Sequence, residues 1–471
     1  MSDEGLSDKS LKIENAREFW ARSPRQRTLT QLLDAYQTGS FGPEQTATVL
    51  AERHQALGEA ASHSVITRDD IAMSEQASAQ QQLQVAATSL PLSGVPVSIK
   101  DLFDERGMTT LAGSRALSQS APAHQDASAL TRLKAAGILH AGRTSMSEFA
   151  FSGLGLNPHV GTPPNPFDGE RITGGSTSGG AASVAFGLAA ATLGSDTGGS
   201  LRIPAAFCGL TGFKPSQSSV PGDGAFPLSP SLDCVGPIAP SVACCRSLWE
   251  VLSGEVADPT PLARPLTLLV PESELVSEVD ADVAADFTTL LERLEAWGVR
   301  ILRVPVEAIE AAYAINQRGG LVIPEAAAVH HELLAAHEAQ YDPLIAERLN
   351  GGRDITSSEY LARLWPRNAI QQRFAQQVQD VDAVLMPTVA MRAPRRDLLE
   401  QDGAAFAALN KRALRNTSVF NYLDASSISI PAPAPVGKEP IGLMLSRPQG
   451  QDVALLRVAE ALERLIHASN Q

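Results

Sequence analysis

The sequence predicts an α/β fold, in which a single α/β/α layered domain has a mixed central β-sheet flanked by helices. Short apolar runs bounded by turn residues recur along the chain and are typical of buried strands. Stretches with helical spacing of apolar residues lie between them. Alternation of the two favours a sheet covered by helices on both faces. A chain of 471 residues, 44% of them hydrophobic, can bury such a core.

The chain begins with polar segments that predict helices packed on the outside of the core. Thr28 can cap a helix that ends at Gly39, and Pro43 opens a second helical stretch. We therefore predict an N-terminal helical region over residues 1–90 and a core over residues 91–471, within one structural domain.

Beyond residue 91 the predicted elements alternate. Strands are predicted from Gly94 to Lys100, Ile138 to Ala141, Leu266 to Val270, Val299 to Val304, Asp382 to Met386 and Ser427 to Ile430; helices are predicted from Ala127 to Ala136, Val283 to Trp297 and from Asp452 onward. Residues 305–375 have a helical pattern with few glycines. We interpret them as a variable helical insertion on the substrate side.

Composition excludes several classes of partner. Acidic residues outnumber basic ones 52 to 38, giving a net charge of −14, and no basic cluster could follow a phosphate backbone. Nucleic acid is therefore not an expected partner, and the negative field repels anionic substrates unless a local cation offsets it. The first twenty residues lack the apolar stretch of a signal peptide, and no membrane-spanning run follows. We expect a cytoplasmic protein, a monomer or homodimer, without a membrane partner.

Metal and disulfide sites are also not expected. The four cysteines show no CxxC spacing, which excludes a zinc site or disulfide framework of that pattern. His331-Glu332 and His337 resemble part of a metalloprotease motif, but the two histidines are six residues apart instead of four. We interpret that segment as a solvated helix face.

The stretch from Arg171 to Pro215 holds the most unusual pattern. Two loops rich in glycine and serine, at residues 174–180 and 194–200, frame an alanine-rich segment that we interpret as one helix. Glycine lets the backbone approach a ligand closely, so the loops indicate a site built from main-chain groups.

Simple motif interpretations of these loops fail. A phosphate-binding loop needs Lys followed by Ser or Thr after the glycines, where this chain has Ala181 and Ala182. A nucleophile elbow needs Gly-x-Ser-x-Gly, which Ser176, Ser178 and Ser200 do not satisfy. Tight loop packing with solvated serines stays open on the residue pattern alone.

A longer set of motifs resembles the amidase signature family. The run GGSTSGG followed by DTGGS resembles that family's signature, and PVSIKD from Pro96 to Asp101 is similar to its catalytic-lysine strand. Many members read GGSSGG, but ungapped alignment through Val184 and Gly187 places Ser176 on the family's bridging serine. The resemblance continues in Asn165-Pro166, RIPAAFCGLTGFKPS from Arg202, DCVGPIA from Asp233 and PIGLMLSRP from Pro440.

The resemblance implies a catalytic triad. It makes Ser200 the nucleophile, Ser176 the bridging serine after a cis peptide bond from Gly175, and Lys100 the terminal base. Lysine can accept a proton only when neutral, and burial beside apolar strand residues would lower its pKa from about 10.4. Strand alternation turns Asp101 to the opposite face.

Main-chain and charged groups around the triad are expected to support it. The consecutive amides of Thr197, Gly198, Gly199 and Ser200 can form an oxyanion hole. Asp196 and Arg202 flank that turn, and we interpret them as a mutual structural pair; capture of a substrate carboxylate by Arg202 is the alternative. Supporting positions in the first loop are Gly175, Thr177 and Ser178.

The predicted function is hydrolysis of a C–N bond through a serine acyl-enzyme, without cofactor or metal. Loops 151–159 and 220–232 contain no Lys or Arg. We therefore expect a neutral, largely apolar small molecule: an aryl amide, an aryl-acetamide or, as in a urethanase, a carbamate; esters are possible as well. The expected pocket residues are Phe151, Leu154, Phe226 and Leu228. The alternatives are the glutaminase subunit of a tRNA-dependent amidotransferase and a non-catalytic scaffold or binding protein.

Overall fold

A mixed β-sheet runs through the molecule. The computed structural model describes residues 3–86, 90–258, 260, 262, 264–435 and 437–468. Its strands are β1 (Val65–Thr67), β2 (Pro96–Lys100), β3 (Leu139–Thr144), β4 (Ala191–Asp196), β5 (Thr211–Lys214), β6 (Cys234–Ala239), β7 (Thr267–Pro271), β8 (Arg300–Val304), β9 (Ala383–Pro387), β10 (Ser426–Pro431) and β11 (Gly442–Arg447). These strands form one sheet in the order β1-β3-β2-β4-β6-β5-β10-β11-β9-β7-β8.

Parallel pairing is confined to two parts of the sheet. Strand β2 pairs in parallel with β3 and β4, and β7 pairs in parallel with β8 and β9. The other pairs are antiparallel. Because β2 and β4 are parallel neighbours, their carboxyl ends lie at the same edge of the sheet, and the chain segments that follow them meet there.

Helices flank this sheet along its length. They are α1 (Asp3–Ala21), α2 (Leu29–Gln37), α3 (Pro43–Leu57), α4 (Glu59–Ser64), α5 (Asp70–Val85), α6 (Ser128–Ala135), α7 (Ser178–Ala185), α8 (Arg202–Phe207), α9 (Val242–Ser253), α10 (Glu274–Ser277), α11 (Ala281–Ala296), α12 (Glu307–Gln317), α13 (Val322–Val329), α14 (His331–His337), α15 (Pro343–Asn350), α16 (Ser357–Leu364), α17 (Arg367–Gln377), α18 (Arg396–Gln401), α19 (Gly403–Tyr422) and α20 (Asp452–Ala468).

Both faces of the sheet are buried. In β9, Ala383 and Leu385 join one apolar cluster, whereas Val384 and Met386 join another. Successive side chains of a strand point to opposite faces, so the two clusters lie on opposite sides of the sheet. The predicted α/β class with a mixed central sheet flanked by helices is confirmed.

Most elements predicted from sequence are present with shifts of one or a few residues at their ends. Helix α2 begins after Thr28, whose side chain accepts a hydrogen bond from Gln31 N at 3.3 Å, as the capping pattern predicts. The predicted strands correspond to β2, β3, β7, β8, β9 and β10. Residues 305–375 fold into α12 to α17, in agreement with the predicted helical stretch.

One interpretation of the glycine-rich stretch is wrong. The segment between the two loops is not a single helix, because α7 ends at Ala185 and β4 then occupies a central position in the sheet. Small residues are required in β4, since a Cβ on Gly194 would lie 2.7 Å from Thr177 Cγ2. Packing between neighbouring elements therefore outweighs the helical preference of its alanine-rich surroundings.

The N-terminal region contributes more than helices. Strand β1 pairs antiparallel with β3 at the edge of the sheet, so this region also extends the sheet. The division at about residue 90 stays a prediction, and residues 87–89 at that boundary lie outside those described.

Two kinds of feature are absent from the described residues. They contain no helix both long and apolar enough to cross a membrane. They also contain no group of three or more His, Cys, Asp or Glu side chains placed to hold a metal ion. His331 and His337 begin and end α14, which separates them by more than one helical turn.

Candidate active site

Lys100 lies at the end of β2 and is fully buried. Its Nζ donates to Ser176 Oγ at 2.7 Å and to Ser195 Oγ at 2.9 Å. Ser195 belongs to β4, the parallel neighbour of β2, so sheet pairing positions this contact. The lysine amine is thus held between two serine hydroxyls.

The surroundings of Lys100 change its protonation. Burial lowers the pKa of Lys100 to about 7, against the opposing influence of the Asp196 and Asp233 carboxylates. A large fraction of the amine is therefore neutral at neutral pH and can accept a proton.

Asp101 does not pair with Lys100. Its carboxylate accepts from Arg143 Nε at 2.9 Å and from Gly113 N at 3.1 Å. The prediction that Asp101 turns away from the lysine is confirmed. Its charge is instead offset by a buried arginine on β3.

The first glycine-rich loop fixes the position of Ser176. The peptide bond between Gly175 and Ser176 is cis, as the resemblance implies. Gly175 N donates to Gly153 O at 2.8 Å, and Ser147 N donates to Ser176 O at 3.1 Å. A side chain at Gly175 would place its Cβ 2.6 Å from Gly155 N, so the close approach of this loop to the segment around Gly155 requires glycine.

Neighbouring residues of this loop have different surroundings. Thr177 N donates to Ser200 O at 3.3 Å, and Thr177 Oγ1 donates to Ser195 O at 3.4 Å. The buried hydroxyl of Ser178 has no hydrogen-bond partner among the described residues. The contact with Lys100 therefore distinguishes Ser176 from Ser178.

Ser200 lies at the wall of a cavity of about 330 Å³, together with Thr197 and Gly198. It is 3% exposed. Ser200 and two residues of the preceding turn therefore border the same space.

The predicted oxyanion hole needs one correction. Gly199 N already donates to Asp196 Oδ1 at 2.8 Å, so this amide is not available to a ligand. Gly199 has a φ of 138°, and a Cβ there would lie 2.2 Å from Thr417 Oγ1. The glycine is needed for the shape of the turn, and the amides of Thr197, Gly198 and Ser200 remain as candidate donors.

Asp196 and Arg202 form a buried ion pair. Arg202 Nη2 donates to Asp196 Oδ1 at 2.9 Å, and both side chains are fully buried. Burial by itself would raise the pKa of Asp196, but Arg202 and a hydrogen bond from Asn421 outweigh it and hold the pKa well below its usual range. Arg202 also donates to Thr417 O at 3.0 Å. The interpretation as a structural pair is confirmed, and Arg202 does not line the cavity.

A second carboxylate braces the turn before Ser200. Asp233 accepts from Thr197 Oγ1 at 2.5 Å and from the amides of Leu228 and Ser229. Burial raises its pKa to about 6. Asp233 thus connects the candidate oxyanion turn to loop 220–232.

The predicted pocket residues are only partly brought together. Phe151 and Leu228 line the cavity that Ser200 borders. Phe226 lines an adjoining cavity of about 320 Å³ and packs against Phe149, with ring centroids 5.3 Å apart. Leu154 does not reach the cavity, because it is fully buried in a separate apolar cluster with Ile203.

Sequence reasoning missed several residues of the site. Ser195 beside Lys100 could be found only once β2 and β4 were known to be neighbours. Tyr313 and Arg348 line the cavity from residues 305–375, which the sequence had indicated as a substrate-side insertion. Lys411 and Arg415 of α19 also line it, and no sequence pattern pointed to them.

Comparison with known proteins places the chain in a family. A family model described as Amidase matches residues 46–456. The chain belongs to the amidase family. This membership confirms the resemblance found in the sequence to the amidase signature family.

Individual members of the amidase family are similar along most of the chain. A 2-amino-5-chloromuconic acid deaminase from Comamonas testosteroni is 34% identical over 390 residues, covering 80% of this chain and 82% of that protein. An indoleacetamide hydrolase from Pseudomonas savastanoi is 32% identical over 404 residues, covering 81% and 85%. A crystal structure of an amidase, 32% identical, has a TM-score of 0.85 and covers 93% of this chain and 100% of that chain.

Proposed function

We propose that this amidase-family protein hydrolyses the C–N bond of a small-molecule amide through an acyl-enzyme on Ser200. One observation carries the proposal: a buried lysine with a lowered pKa contacts Ser176 Oγ at 2.7 Å, and Thr177, the next residue, donates its N–H at 3.3 Å to the carbonyl of Ser200 in the cavity wall. The names of the two relatives, a deaminase and an indoleacetamide hydrolase, agree with C–N cleavage.

In the proposed mechanism, neutral Lys100 is the base. Ser200 Oγ attacks the amide carbon while its proton passes to Ser176 Oγ, and the proton of Ser176 passes to Lys100 Nζ. The resulting oxyanion accepts hydrogen bonds from the free amides of the turn before Ser200. Protonated Lys100 then returns a proton through Ser176 to the leaving nitrogen, and water hydrolyses the acyl-enzyme.

The relay requires a hydrogen bond between Ser200 Oγ and Ser176 Oγ. Among the described residues, no hydrogen bond joins the hydroxyls of Ser176 and Ser200, although Thr177 N donates to Ser200 O. Catalytic hydrogen bonds are often long in unliganded enzymes and shorten when substrate binds. In the proposed mechanism, substrate binding brings Ser200 Oγ within hydrogen-bond distance of Ser176 Oγ.

Part of the substrate prediction carries over. The cavity wall includes Phe151, Leu228 and Val322, which supports an apolar body such as an aryl group. A carbamate presents a similar carbonyl and the same nitrogen leaving group. The restriction to neutral substrates is not retained, because it depended on two loops without Lys or Arg, whereas cations reach the cavity from α15 and α19.

Release of ammonia or amine by the purified single chain tests this function. Wild-type protein should hydrolyse simple primary amides or anilides without a partner protein, and Ser200→Ala should abolish turnover while the protein stays folded. Ser200→Ala with near-normal turnover would contradict the proposal. Turnover that appears only with added subunits would favour the amidotransferase alternative, and no turnover on any substrate would favour a scaffold.

A further inference from the structure

The wall of the Ser200 cavity has an unusual charge pattern. Arg348, Lys411 and Arg415 line it, and none of the described lining residues is Asp or Glu. The whole chain has a net charge of −14. Because all the charged residues described in the wall are cationic, they create a local positive potential that attracts anions into the cavity of this acidic protein.

Arg348 is the best placed of the three to bind a ligand. Its guanidinium carbon lies 4.1 Å from the ring centroid of Phe151, and Nη1 donates to Phe151 O. These two contacts hold the side chain in place. They use one of its five N–H groups, so most of its hydrogen-bonding capacity remains.

The described part of the chain provides no compensating charge for Arg348. No carboxylate of the described residues lies within ion-pair distance of it. Burial lowers the pKa of Arg348 to about 10, so the side chain stays protonated at neutral pH. A half-buried cation without a partner is costly, and an anion in the cavity would relieve that cost.

The other two cations have different roles at the wall. Arg415 donates to Glu278 O at 2.8 Å and to Leu275 O at 3.3 Å, so it contributes charge more than free donors. Lys411 is exposed and forms no ion pair with a described residue. Both strengthen the positive potential around Arg348.

We propose that the cavity selects amides that carry a carboxylate, and that Arg348 binds that carboxylate as a specificity-determining residue. This inference rests on the proposed hydrolysis at Ser200 and names its substrate class. Guanidinium and carboxylate groups match as paired hydrogen bonds, which adds direction to the charge attraction. A cavity of about 330 Å³ is near the lower end of ligand-binding sites, which fits a compact anionic amide.

Matched pairs of substrates test the proposal. One pair is 4-carboxyphenylacetamide and 4-nitrophenylacetamide, in which a neutral nitro group has nearly the shape of the carboxylate. A second set compares malonamate, succinamate, glutaramate and adipamate with linear alkanamides of the same length. We expect kcat/KM for ammonia release to favour the best anionic substrate over its neutral match by roughly 10- to 100-fold.

Variants then assign the preference to Arg348. Arg348→Gln should lower the ratio of anionic to neutral kcat/KM by at least about tenfold, and Arg348→Lys should give an intermediate ratio. Arg373→Gln is the matched control, because Arg373 is exposed on α17 and paired with Glu307 at 3.2 Å. That control should leave the ratio unchanged.

Two results would overturn the proposal: a wild-type preference for the neutral members of the pairs, or an equal loss for both substrate types in Arg348→Gln. Calorimetry with 4-carboxyphenylacetate and glutarate gives a readout that does not need turnover. If the wild type binds these anions and Arg348→Gln binds them more weakly, the carboxylate site is supported. Such binding without hydrolysis of any amide would refute the proposed hydrolysis and leave the carboxylate site standing. If neither anion binds and the wild type prefers neutral amides, the carboxylate site is refuted while the proposed hydrolysis stands.

Discussion

Replacing Lys100 by methionine tests the physical basis of the site through protein stability. Lysine has a normal pKa of about 10.4, and burial lowers the pKa of Lys100 to about 7. The unfolded chain therefore binds this proton more tightly than the folded chain. Burial of Lys100 therefore lowers the free energy of unfolding. This destabilisation has its full size below pH 7 and disappears as the pH rises above the normal lysine pKa.

The size of this penalty follows from the two pKa values. With about 1.4 kcal/mol per pKa unit, keeping Lys100 buried costs about 4 kcal/mol at pH 7 and about 2 kcal/mol at pH 9. Methionine has a similar length and no charge, so Lys100→Met removes the whole pH-dependent term. It also leaves the hydroxyls of Ser176 and Ser195 without a partner, which costs about 1 to 3 kcal/mol at any pH.

The pH dependence separates these two effects. Denaturant unfolding of wild type and Lys100→Met at several values between pH 7 and 9 should show the stability difference falling by about 2 kcal/mol toward alkaline pH. All other titrating groups are shared and cancel. Lys438→Met is the control, since Lys438 is exposed, and its difference from wild type should be flat. A flat difference for Lys100→Met would mean that Lys100 keeps a normal pKa, which refutes the argument for its role as a base.

Other outcomes follow from the same geometry. In pH–rate profiles of wild type, kcat/KM should rise as the pH increases through about 7 and then level off, because neutral Lys100 is the base; a maximum near pH 5 would indicate a carboxylate base instead. Kinetics of Ser176→Ala should show a loss of at least about a thousandfold in kcat, whereas Ser178→Ala, in the same loop, should stay within about threefold because the Ser178 hydroxyl has no hydrogen-bond partner in the part of the chain that the structure describes. Arg202→Met should lower the free energy of unfolding by about 3 to 5 kcal/mol, since it leaves Asp196 buried without its cation; denaturant unfolding that shows less than about 1 kcal/mol would contradict the ion pair's role.

Local sequence signals were sufficient for many elements. The apolar run that ends at Lys100 predicted β2, and Thr28 predicted the start of α2. Both depend on residues close in sequence. Strand β4 could not be predicted this way, because its small residues are selected by the tight packing around Gly194 and not by strand preference.

The residues of the site that belong to sequence motifs were predictable. The residues that long-range packing brings to the site were not. The motifs indicated Lys100 and Ser176, which the structure brings into contact. The cavity wall depends on long-range packing: Arg348 reaches Phe151 from a position almost 200 residues later in the chain. Leu154 was wrongly assigned to the pocket because its loop position gave no information on which way its side chain is buried.

Rapid-quench mass spectrometry tests the central claim most directly. Wild-type protein mixed with an activated aryl amide or ester and quenched during the first turnover should carry one acyl group, and peptide mapping should locate it on Ser200. Ser200→Ala should carry none. An acyl group on Ser176 or Ser178, or turnover without any acylated protein, would contradict the proposed mechanism.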